Sequence, residues 1–514
     1  MKRLSRGLAI AALLLSASAC TQGGPPRVVV QTPFPSSVAT LTPAPGQSDP
    51  LAPYYTQKLG WSSCGGGFSC AWLKVPLDYA HPARPIELAL VRLQTAGKGR
   101  IGSLVMNPGG PGGSGIDYAR GAGPRLPATV LAHFDIVGFD PRGVGQSRPA
   151  IRCVTPKQLD EFLAADPAPT DAAGKKTALD EARLFADGCG VESGDLLGHV
   201  GTIDAARDMD VLRAALGDEK LTYLGKSYGT LLGAFYAEQF PTRVRALVLD
   251  GAVDPSLTGE QLNEQQAVGF ETAFKSFLGY CLANSCPLGG DAASASAGLT
   301  KLFAAITAHP LPAPTAAHGP LMDSHAVVGV AAALYSPTPG WAMLLKALAD
   351  AEAGDGSGLM NLADQLNQRR NDGSYTNLIE SNTAVNCADR PYPHDMAEYD
   401  ADAVTLARIA PHFGAATAYS GLPCAFWPTP PVDHPRTLHV TAAPPILVVG
   451  TTNDPATPYQ WAQSLSKQLG GSSLLTYTGD GHTVYADGRS KCIDDLVDAY
   501  LVTLRPPPAG QVCT

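Results

Sequence analysis

The sequence has little positive charge and no basic cluster beyond its N-terminus. It carries 37 lysines and arginines against 46 acidic residues, which gives a net charge of −9, and no extended run of basic residues follows position 6. Proteins that bind nucleic acids usually present a basic patch, because contacts to phosphate supply much of their affinity. The composition therefore predicts no nucleic-acid partner.

The sequence also lacks the short motifs of common metal and nucleotide sites. It contains neither C-x-x-C nor H-E-x-x-H, the spacings that place cysteine or histidine ligands around zinc. The glycine-rich stretch at 107–115 does not match G-x-x-x-x-G-K-[ST], the loop that cradles nucleotide phosphates. We therefore predict no metal and no cofactor. No internal repeat occurs either.

The apolar run at 8–15 is too short to span a membrane as a stable anchor, which needs about 20 apolar residues. Three basic residues precede it, and the small residues Ala17-Ser18-Ala19 lead to Cys20. This order is typical of a secretory signal peptide, and small residues before a cysteine resemble a bacterial lipobox. We predict a lipoprotein signal peptide over 1–20 with lipidation of Cys20. The alternative is ordinary secretion after Ala19, with Cys20 left as a thiol.

Residues 21–57 are rich in proline, threonine, serine and glycine and have no apolar period, which predicts a tether. The sequence thus predicts an exported protein, attached through the lipid on Cys20 to the outer side of a bacterial cytoplasmic membrane.

The cysteine count supports export independently. Of 11 cysteines, setting aside Cys20 leaves ten, and an even number in an exported chain implies disulfides. The sequence does not fix their connectivity. Sequential pairing is the simplest proposal: Cys64–Cys70, Cys153–Cys189, Cys281–Cys286, Cys387–Cys424 and Cys492–Cys513.

Apolar runs and helical periods alternate in the first part of the chain. Strands are predicted at 71–75, 86–93, 102–106, 134–139, 221–224 and 244–249, with a helix at 203–216. Such alternation indicates βαβ units and a mostly parallel central sheet with helices on both faces.

The alternation stops after the sixth predicted strand and resumes near the C-terminus. Residues 258–435 are mostly helical in pattern, and strand and helix patterns return at 446–450, 459–469, 473–477 and 493–504. We therefore predict an α/β core over 58–257 and 436–514, with a large helical insertion at 258–435, hereafter the cap segment. A separate C-terminal domain is disfavoured, because the later strands complete the sheet.

A strand–turn–helix pattern surrounds Ser227. Residues 225–229 read G-K-S-Y-G, between a strand-like run at 221–224 and a helix-like run at 230–239. This is the setting of a nucleophile elbow, in which small residues let the backbone cross closely and the serine hydroxyl stands above the sheet. We predict Ser227 as the nucleophile.

A serine hydroxyl needs a base, and that base needs an orienting acid. His482 lies in a flexible loop after the last predicted strand, and Asp454 follows the strand at 446–450. Their chain order, nucleophile, acid and base, is that of α/β-hydrolases. We predict Asp454 as the acid and His482 as the base, in preference to three other aspartates, Asp250, Asp254 and Asp480.

The oxyanion formed during acyl transfer needs preorganised N–H donors. Tyr228, directly after the nucleophile, is predicted to supply one. The second is expected from the glycine-rich loop at 107–115, where we choose Gly110, with Gly109 as the fallback. The charged turn Asp140-Pro141-Arg142 is predicted to brace this loop.

Together these motifs resemble the tripeptidyl-aminopeptidase-like branch of the α/β-hydrolases, related to prolyl aminopeptidases. The resemblance extends to actinobacterial cell-envelope lipoproteins of the mycobacterial carboxylesterase A type. The matching stretches lie at 107–115, 134–147, 221–230, 248–255, 453–458 and 481–484. The resemblance covers the chain from about residue 60 and implies the same Ser227, Asp454 and His482, together with a cap that selects substrates by their N-terminus.

Recognition of a peptide N-terminus requires a partner for its ammonium group, and a partly buried carboxylate is suited to that role. We choose Asp389, with Glu380 as the second candidate. Lys226 departs from the family pattern beside the nucleophile and is expected to face the helix side. We predict a serine aminopeptidase that releases short peptides from free N-termini through an acyl-enzyme on Ser227. A carboxylesterase that acts on lipid or small esters with the same triad is the alternative, and a peptide-binding lipoprotein without activity is the third hypothesis.

Overall fold

The computed structural model of the protein describes residues 49–514. The predicted signal peptide, Cys20 and positions 21–48 of the predicted tether lie outside the described residues.

One ten-stranded sheet forms the centre of the molecule. Its strand order is β1-β2-β3-β5-β4-β6-β7-β8-β9-β10. The strands are β1 (Ser62–Ser63), β2 (Phe68–Pro76), β3 (Pro85–Leu93), β4 (Gly102–Asn107), β5 (Phe134–Phe139), β6 (Leu221–Lys226), β7 (Val244–Asp250), β8 (Leu447–Asn453), β9 (Ser473–Asp480) and β10 (Val512–Cys513). Only the pairings β1–β2, β2–β3 and β3–β5 are antiparallel. The remaining pairings are parallel.

Helices cover both faces of this sheet. They are α1 (Ala52–Thr56), α2 (Gly115–Ala122), α3 (Ala128–His133), α4 (Pro156–Ala164), α5 (Ala172–Ser193), α6 (Thr202–Ala215), α7 (Tyr228–Gln239), α8 (Gly259–Ala283), α9 (Ala292–Ala308), α10 (Asp323–Leu334), α11 (Gly340–Glu352), α12 (Ser357–Asn367), α13 (Leu378–Asp389), α14 (Met396–Ile409), α15 (Gly414–Ala418), α16 (Tyr459–Gln468) and α17 (Lys491–Thr503). No helix among residues 49–514 is long and apolar enough to cross a membrane.

Successive side chains of the central strands enter different cores, as the period of two of a strand requires. Val105 of β4 belongs to the apolar cluster that includes residues of α6, α7 and α16, whereas its neighbours Leu104 and Met106 belong to the cluster that includes residues of α3 and α17. Because both faces are buried, the parallel strands are continuously apolar. The mostly parallel sheet with helices on both faces confirms the α/β-hydrolase architecture predicted from the sequence.

The helices α8 to α15 lie between β7 and β8, within the cap segment. They follow the seventh strand and not the sixth, because the two-residue strand β1, which has no apolar signal, pairs with β2. Helices α8 to α12 enclose a separate apolar core that includes Phe274, Phe277 and Leu344. Helix α13 differs, because its Ala384 and Val385 pack into the main core beside the sheet. Helix α13 therefore packs into the main core and not into the separate core of the cap segment.

The ten cysteines of the described part of the chain form five disulfides. Each joins neighbours in sequence order, which is the connectivity proposed from the sequence: Cys64–Cys70, Cys153–Cys189, Cys281–Cys286, Cys387–Cys424 and Cys492–Cys513. The bond Cys387–Cys424 anchors α13 to the segment that follows α15.

Removal of Cys387–Cys424, by alanine at both positions, is expected to lower the free energy of unfolding by about 4 kcal/mol. The bond closes a loop with a sequence separation of 37, and the loss of loop-closure entropy in the unfolded chain grows with loop length. Chemical denaturation measures the change. The matched control is removal of Cys281–Cys286, with a separation of 5, for which about 2 kcal/mol is expected. An equal or larger loss in the control would contradict the prediction.

Candidate active site

Ser227 lies at a sharp turn between β6 and α7. Its backbone has φ 55° and ψ −128°, a conformation that non-glycine residues adopt only where the surroundings impose it. A Cβ atom on Gly225 would lie 2.3 Å from the carbonyl oxygen of Gly229, and one on Gly229 would lie 2.9 Å from the carbonyl oxygen of Asn107. Only glycine fits at either flank, so the strand–turn–helix prediction has a steric basis.

The turn is tied to the end of the neighbouring strand β7. The Ser227 N–H donates to the carbonyl oxygen of Asp250 (3.0 Å). The Thr230 hydroxyl donates to the Ser227 carbonyl oxygen (2.6 Å) and accepts from the Val253 N–H (2.9 Å). These bonds fix the strained turn on both sides.

Asp454 and His482 meet in the loops that follow β8 and β9. The distances from His482 Nδ1 to Asp454 Oδ1 and Oδ2 are 2.8 and 3.0 Å. The Asp454 side chain is fully buried and also accepts from the N–H groups of Ala456 (2.9 Å) and Thr457 (2.8 Å). Because the carboxylate accepts a hydrogen bond from the Nδ1–H group, the lone pair of the neutral imidazole resides on Nε2. The arrangement therefore orients His482 so that its Nε2 can act as a base.

The loops of Ser227 and His482 contact the same dipeptide, Asp250-Gly251. The Ser227 N–H bonds to the Asp250 carbonyl, and a Cβ on Gly251, where φ is +71°, would lie 3.2 Å from His482 Cε1. The structure thus brings the three sequence-predicted residues to one edge of the sheet. The other aspartates are engaged elsewhere: Asp250 with backbone N–H groups, Asp254 with Ser256 and Gln468, and Asp480 with Asn453.

Tyr335, at the end of α10, covers His482 from the cap segment. Its carbonyl oxygen accepts from the His482 N–H (2.8 Å), and its ring meets the imidazole edge-on at a centroid distance of 5.3 Å. Burial and the charge of Asp454 raise the pKa of Tyr335 to about 12, so it stays neutral at physiological pH. Sequence reasoning missed this residue, because no local pattern marks a contact between distant segments.

The glycine-rich loop lies directly against the elbow. A Cβ on Gly109 would lie 2.5 Å from the Lys226 carbonyl oxygen and 2.9 Å from the Tyr228 nitrogen. The Gly109 N–H already donates to Asn107 Oδ1 (2.9 Å). This bond leaves Gly110 as the better candidate for the second oxyanion donor, with Tyr228 as the candidate for the first.

Gly109→Ala is expected to lower kcat/KM by about 100-fold, the cost of a displacement of about 1 Å in a catalytic site. The new methyl group would overlap the elbow backbone, and φ is +95°, which disfavours alanine. Steady-state kinetics on an activated ester measures the effect. Gly121→Ala is the control, since a Cβ there meets nothing within 4 Å. Activity within threefold of the parent in Gly109→Ala would contradict the close approach.

The charged turn after β5 contacts the far end of the glycine loop. The Asp140 carboxylate accepts from the Ser114 hydroxyl (2.6 Å) and from the N–H groups of Ile116 and Gln146. Burial raises the pKa of Asp140 to about 6. Arg142 is fully buried and pairs with Asp208 at 2.6 Å. The Asp140 carboxylate therefore braces the glycine loop. Arg142 bonds instead to Asp208 and to the carbonyl oxygens of residues 76, 77 and 199, which lie outside that loop.

Asp389 reaches the elbow through two hydroxyl groups. Its carboxylate accepts from the Thr202 N–H (2.7 Å) and hydroxyl (2.5 Å), and the Thr202 hydroxyl lies 2.6 Å from that of Tyr228. Burial raises the pKa of Asp389 to about 6. Glu380, on the same helix α13, accepts instead from the N–H groups of Cys153 (2.6 Å) and Val154 (3.3 Å).

Helix α13 also contacts the glycine loop. The Asn382 amide donates to the Pro111 carbonyl oxygen (3.1 Å), and a Cβ on Gly112 would lie 2.8 Å from the Leu378 carbonyl oxygen. This helix, which carries both predicted recognition carboxylates, therefore forms one wall of the site. Among the described residues, no group of three or more His, Cys, Asp or Glu side chains is placed to hold a metal ion.

Comparison with known proteins places these features in context. A family model described as TAP-like protein matches residues 410–513. The chain is 41% identical over 488 residues to the serine protease Hip1 of Mycobacterium tuberculosis H37Rv, covering 91% of this chain and 93% of that protein. It is 37% identical over 499 residues to carboxylesterase B of the same organism, covering 93% and 94%. It is 36% identical over 474 residues to tripeptidyl aminopeptidase of Streptomyces lividans, covering 88% and 86%.

Proposed function

Because this serine hydrolase belongs to the tripeptidyl-aminopeptidase-like family of α/β-hydrolases, we propose that it is an aminopeptidase that releases short peptides from free N-termini. Ser227 is the nucleophile, His482 the base and Asp454 the acid. The buried Asp454–His482 hydrogen bond beside the strained Ser227 turn supports the hydrolase chemistry. The observation that favours a substrate with a free N-terminus is the buried Asp389 carboxylate, which is linked through Thr202 to Tyr228. Carboxylesterase activity is the second candidate, since one relative is named a carboxylesterase.

In the first half of the reaction, Ser227 Oγ attacks the scissile carbonyl carbon while His482 Nε2 takes the hydroxyl proton. Asp454 stabilises the imidazolium that forms. The N–H groups of Tyr228 and Gly110 donate to the developing oxyanion. His482 then returns the proton to the departing nitrogen, and the C–N bond breaks to leave an acyl-enzyme.

In the second half, water enters the position that the leaving group has vacated. His482 removes a proton from this water, the hydroxide attacks the ester carbon, and the Ser227 oxygen leaves with that proton. The same steps hydrolyse an ester, whose leaving oxygen needs less protonation. The triad therefore serves both candidate functions, and the cap segment must discriminate between them.

Asp389 is the proposed partner of the substrate ammonium group. Two donors from Thr202 occupy only part of its capacity, since an ionised carboxylate offers about four acceptor positions. Glu380 is the second candidate. The Glu380 carboxylate already accepts from the backbone N–H groups of residues 153 and 154, so it is less able to bind a substrate ammonium group.

The binding of substrates with a free N-terminus is expected to strengthen as the pH rises through about 6, where Asp389 ionises, and to weaken above about 8, where the peptide amine loses its proton. The raised pKa means that the carboxyl group is neutral, and without attraction for a cation, below this range. The measurement is KM against pH, which should be flat for an N-acylated substrate and flat in Asp389→Asn. A pH-dependent KM in Asp389→Asn would refute the assignment.

The experiment that tests the proposed function compares three substrates: a tripeptide-coupled amide with a free N-terminus, its N-acylated form, and a short-chain ester. We expect cleavage of the free tripeptide with a preference of at least about 100-fold over the blocked form, as loss of a buried charged contact implies. Hydrolysis of the ester alone would establish the carboxylesterase instead. Equal cleavage of both peptides would remove the requirement for a free amine.

We also propose that the protein is exported and anchored through Cys20. The five disulfides support an oxidising compartment, in which such bonds persist. Cys20→Ser should release the protein from the membrane fraction into the medium or the periplasm. Unchanged fractionation would refute the lipid anchor without affecting the catalytic proposal.

A further inference from the structure

Lys226 places a buried cation directly beside the nucleophile. Its side chain is only 13% exposed. Its Nζ donates to the Tyr485 carbonyl oxygen (2.7 Å) and lies 3.6 Å from Asp250 Oδ2. Lys226 thus faces the loop of His482. The prediction from the sequence, that it faces the helix side, is wrong.

The partner carboxylate, Asp250, contacts the same loop. It is fully buried, and its Oδ2 accepts from the N–H groups of Val484 and Tyr485, each at 2.9 Å. Lys226 and Asp250 are also paired across β6 and β7. The ends of two adjacent strands therefore make three hydrogen bonds to a dipeptide that begins two residues after His482.

Lys226 is a cation in this setting. Burial lowers the pKa of Lys226, but Tyr118, Asp250 and Asp487 more than offset the effect and leave the pKa above its ordinary value. A charged donor makes a stronger hydrogen bond to the Tyr485 carbonyl oxygen than a neutral one would.

We propose that Lys226 and Asp250 are positioning residues that hold the His482 loop in register with Ser227. This inference rests on the proposed role of His482 as the base. Asp454 fixes the imidazole and bonds to the Thr483 N–H (3.3 Å), whereas Lys226 and Asp250 fix the other side of the loop at 484–485. The residue next to the nucleophile thereby sets the distance between nucleophile and base.

The test measures kcat and KM on an activated ester, together with the rate at which a fluorophosphonate labels Ser227. In Lys226→Met we expect kcat and the labelling rate to fall by about 10- to 100-fold, with KM within about twofold, because a displaced base slows the chemical step. Lys226→Arg retains a donor cation and should recover part of the loss. Lys220→Met is the matched control, on an exposed lysine just before β6, and should match the parent.

The pair is tested by combining Lys226→Met with Asp250→Asn. The two loop N–H groups share one carboxylate oxygen, so the asparagine oxygen can accept both. If the residues act as a unit, the double variant loses no more kcat than the worse single variant. Three results would overturn the proposal. They are losses of kcat that multiply in the double variant, a change in KM without a change in kcat, and a kcat of Lys226→Met within twofold of that of Lys220→Met.

Two features keep the outcome interpretable. Thermal unfolding identifies a variant that has not folded, and if Lys226→Met fails to fold, Lys226→Arg and Asp250→Asn are each compared with Lys220→Met by the same criteria. The ester and the fluorophosphonate report on Ser227 without any peptide. A result that overturns the role of Lys226 therefore leaves the peptidase proposal intact, whereas failure of the free-peptide assay leaves the Lys226 test valid.

Discussion

Ser227→Ala is expected to lower kcat on peptides and esters by about 10⁵-fold, because loss of a triad nucleophile removes the covalent route and leaves only the oxyanion donors and substrate binding. Folding should be unaffected. Alanine and serine tolerate φ of 55° about equally, and the bonds that fix the turn use the backbone of residue 227. Initial rates with both substrate types, and the absence of fluorophosphonate labelling, measure the loss.

The control for Ser227→Ala is substrate binding. The variant should retain the parent's thermal unfolding midpoint and still be stabilised by the free tripeptide amide, since ligand binding to the folded state raises stability. Retention of more than about 1% of the parent's activity would show that another group is the nucleophile. If the variant also keeps its biological role, the non-catalytic peptide-binding alternative gains support.

The sheet and the elbow could be predicted from the sequence because they depend on local signals. The run 221–224 is apolar and becomes β6, and Gly225 is required by a contact with the Gly229 carbonyl group within the same turn. Gly229 belongs to the same local motif, although the group that a Cβ there would overlap is the carbonyl oxygen of Asn107 in β4. Asp454 and His482 were identified by their positions after apolar strands. Such features are set by short stretches of sequence, so a single chain suffices to find them.

The wall of the site could not be predicted, because it is set by contacts between distant segments. Helix α13 was not predicted, although it carries Asp389 and Glu380. Its sequence, L-I-E-S-N-T-A-V-N-C-A-D, has few strong helix formers and no clear apolar stripe, since it is buried on several sides. Asn382 likewise contacts the glycine loop, and Tyr335 contacts His482, only in the folded chain.

Lys226 is a third case, in which the sequence singles out the residue but the predicted direction of its side chain is wrong. Local reasoning places the side chain before the elbow according to the strand period, but it does not specify which loop lies there. The loop at 484–485 comes from the far end of the chain. A buried cation without a local partner indicates that a partner exists, and only the fold identifies it as Asp250.

Asp454→Asn is expected to lower kcat by about 10⁴-fold, the effect of a wrong histidine tautomer in a serine triad. Asp454 Oδ1 accepts from the N–H groups of Ala456 and Thr457, so an asparagine would keep its oxygen there and turn its NH₂ group towards His482. That NH₂ group would donate to Nδ1, the ring proton would move to Nε2, and the base would have no lone pair to offer Ser227. Steady-state kinetics measures the loss, and the ¹⁵N chemical shifts of His482 report the tautomer.

Asp480→Asn is the matched control for this substitution. Asp480 lies two residues from His482, but its carboxylate accepts from the Asn453 amide (3.0 Å) and has no bond to the imidazole. Activity should stay within about threefold of the parent, because its removal alters no contact of the ring. A larger loss in Asp480→Asn than in Asp454→Asn would reassign the acid. An Asp454→Asn enzyme with Nδ1 still protonated and kcat within tenfold of the parent would show that backbone contacts alone orient His482.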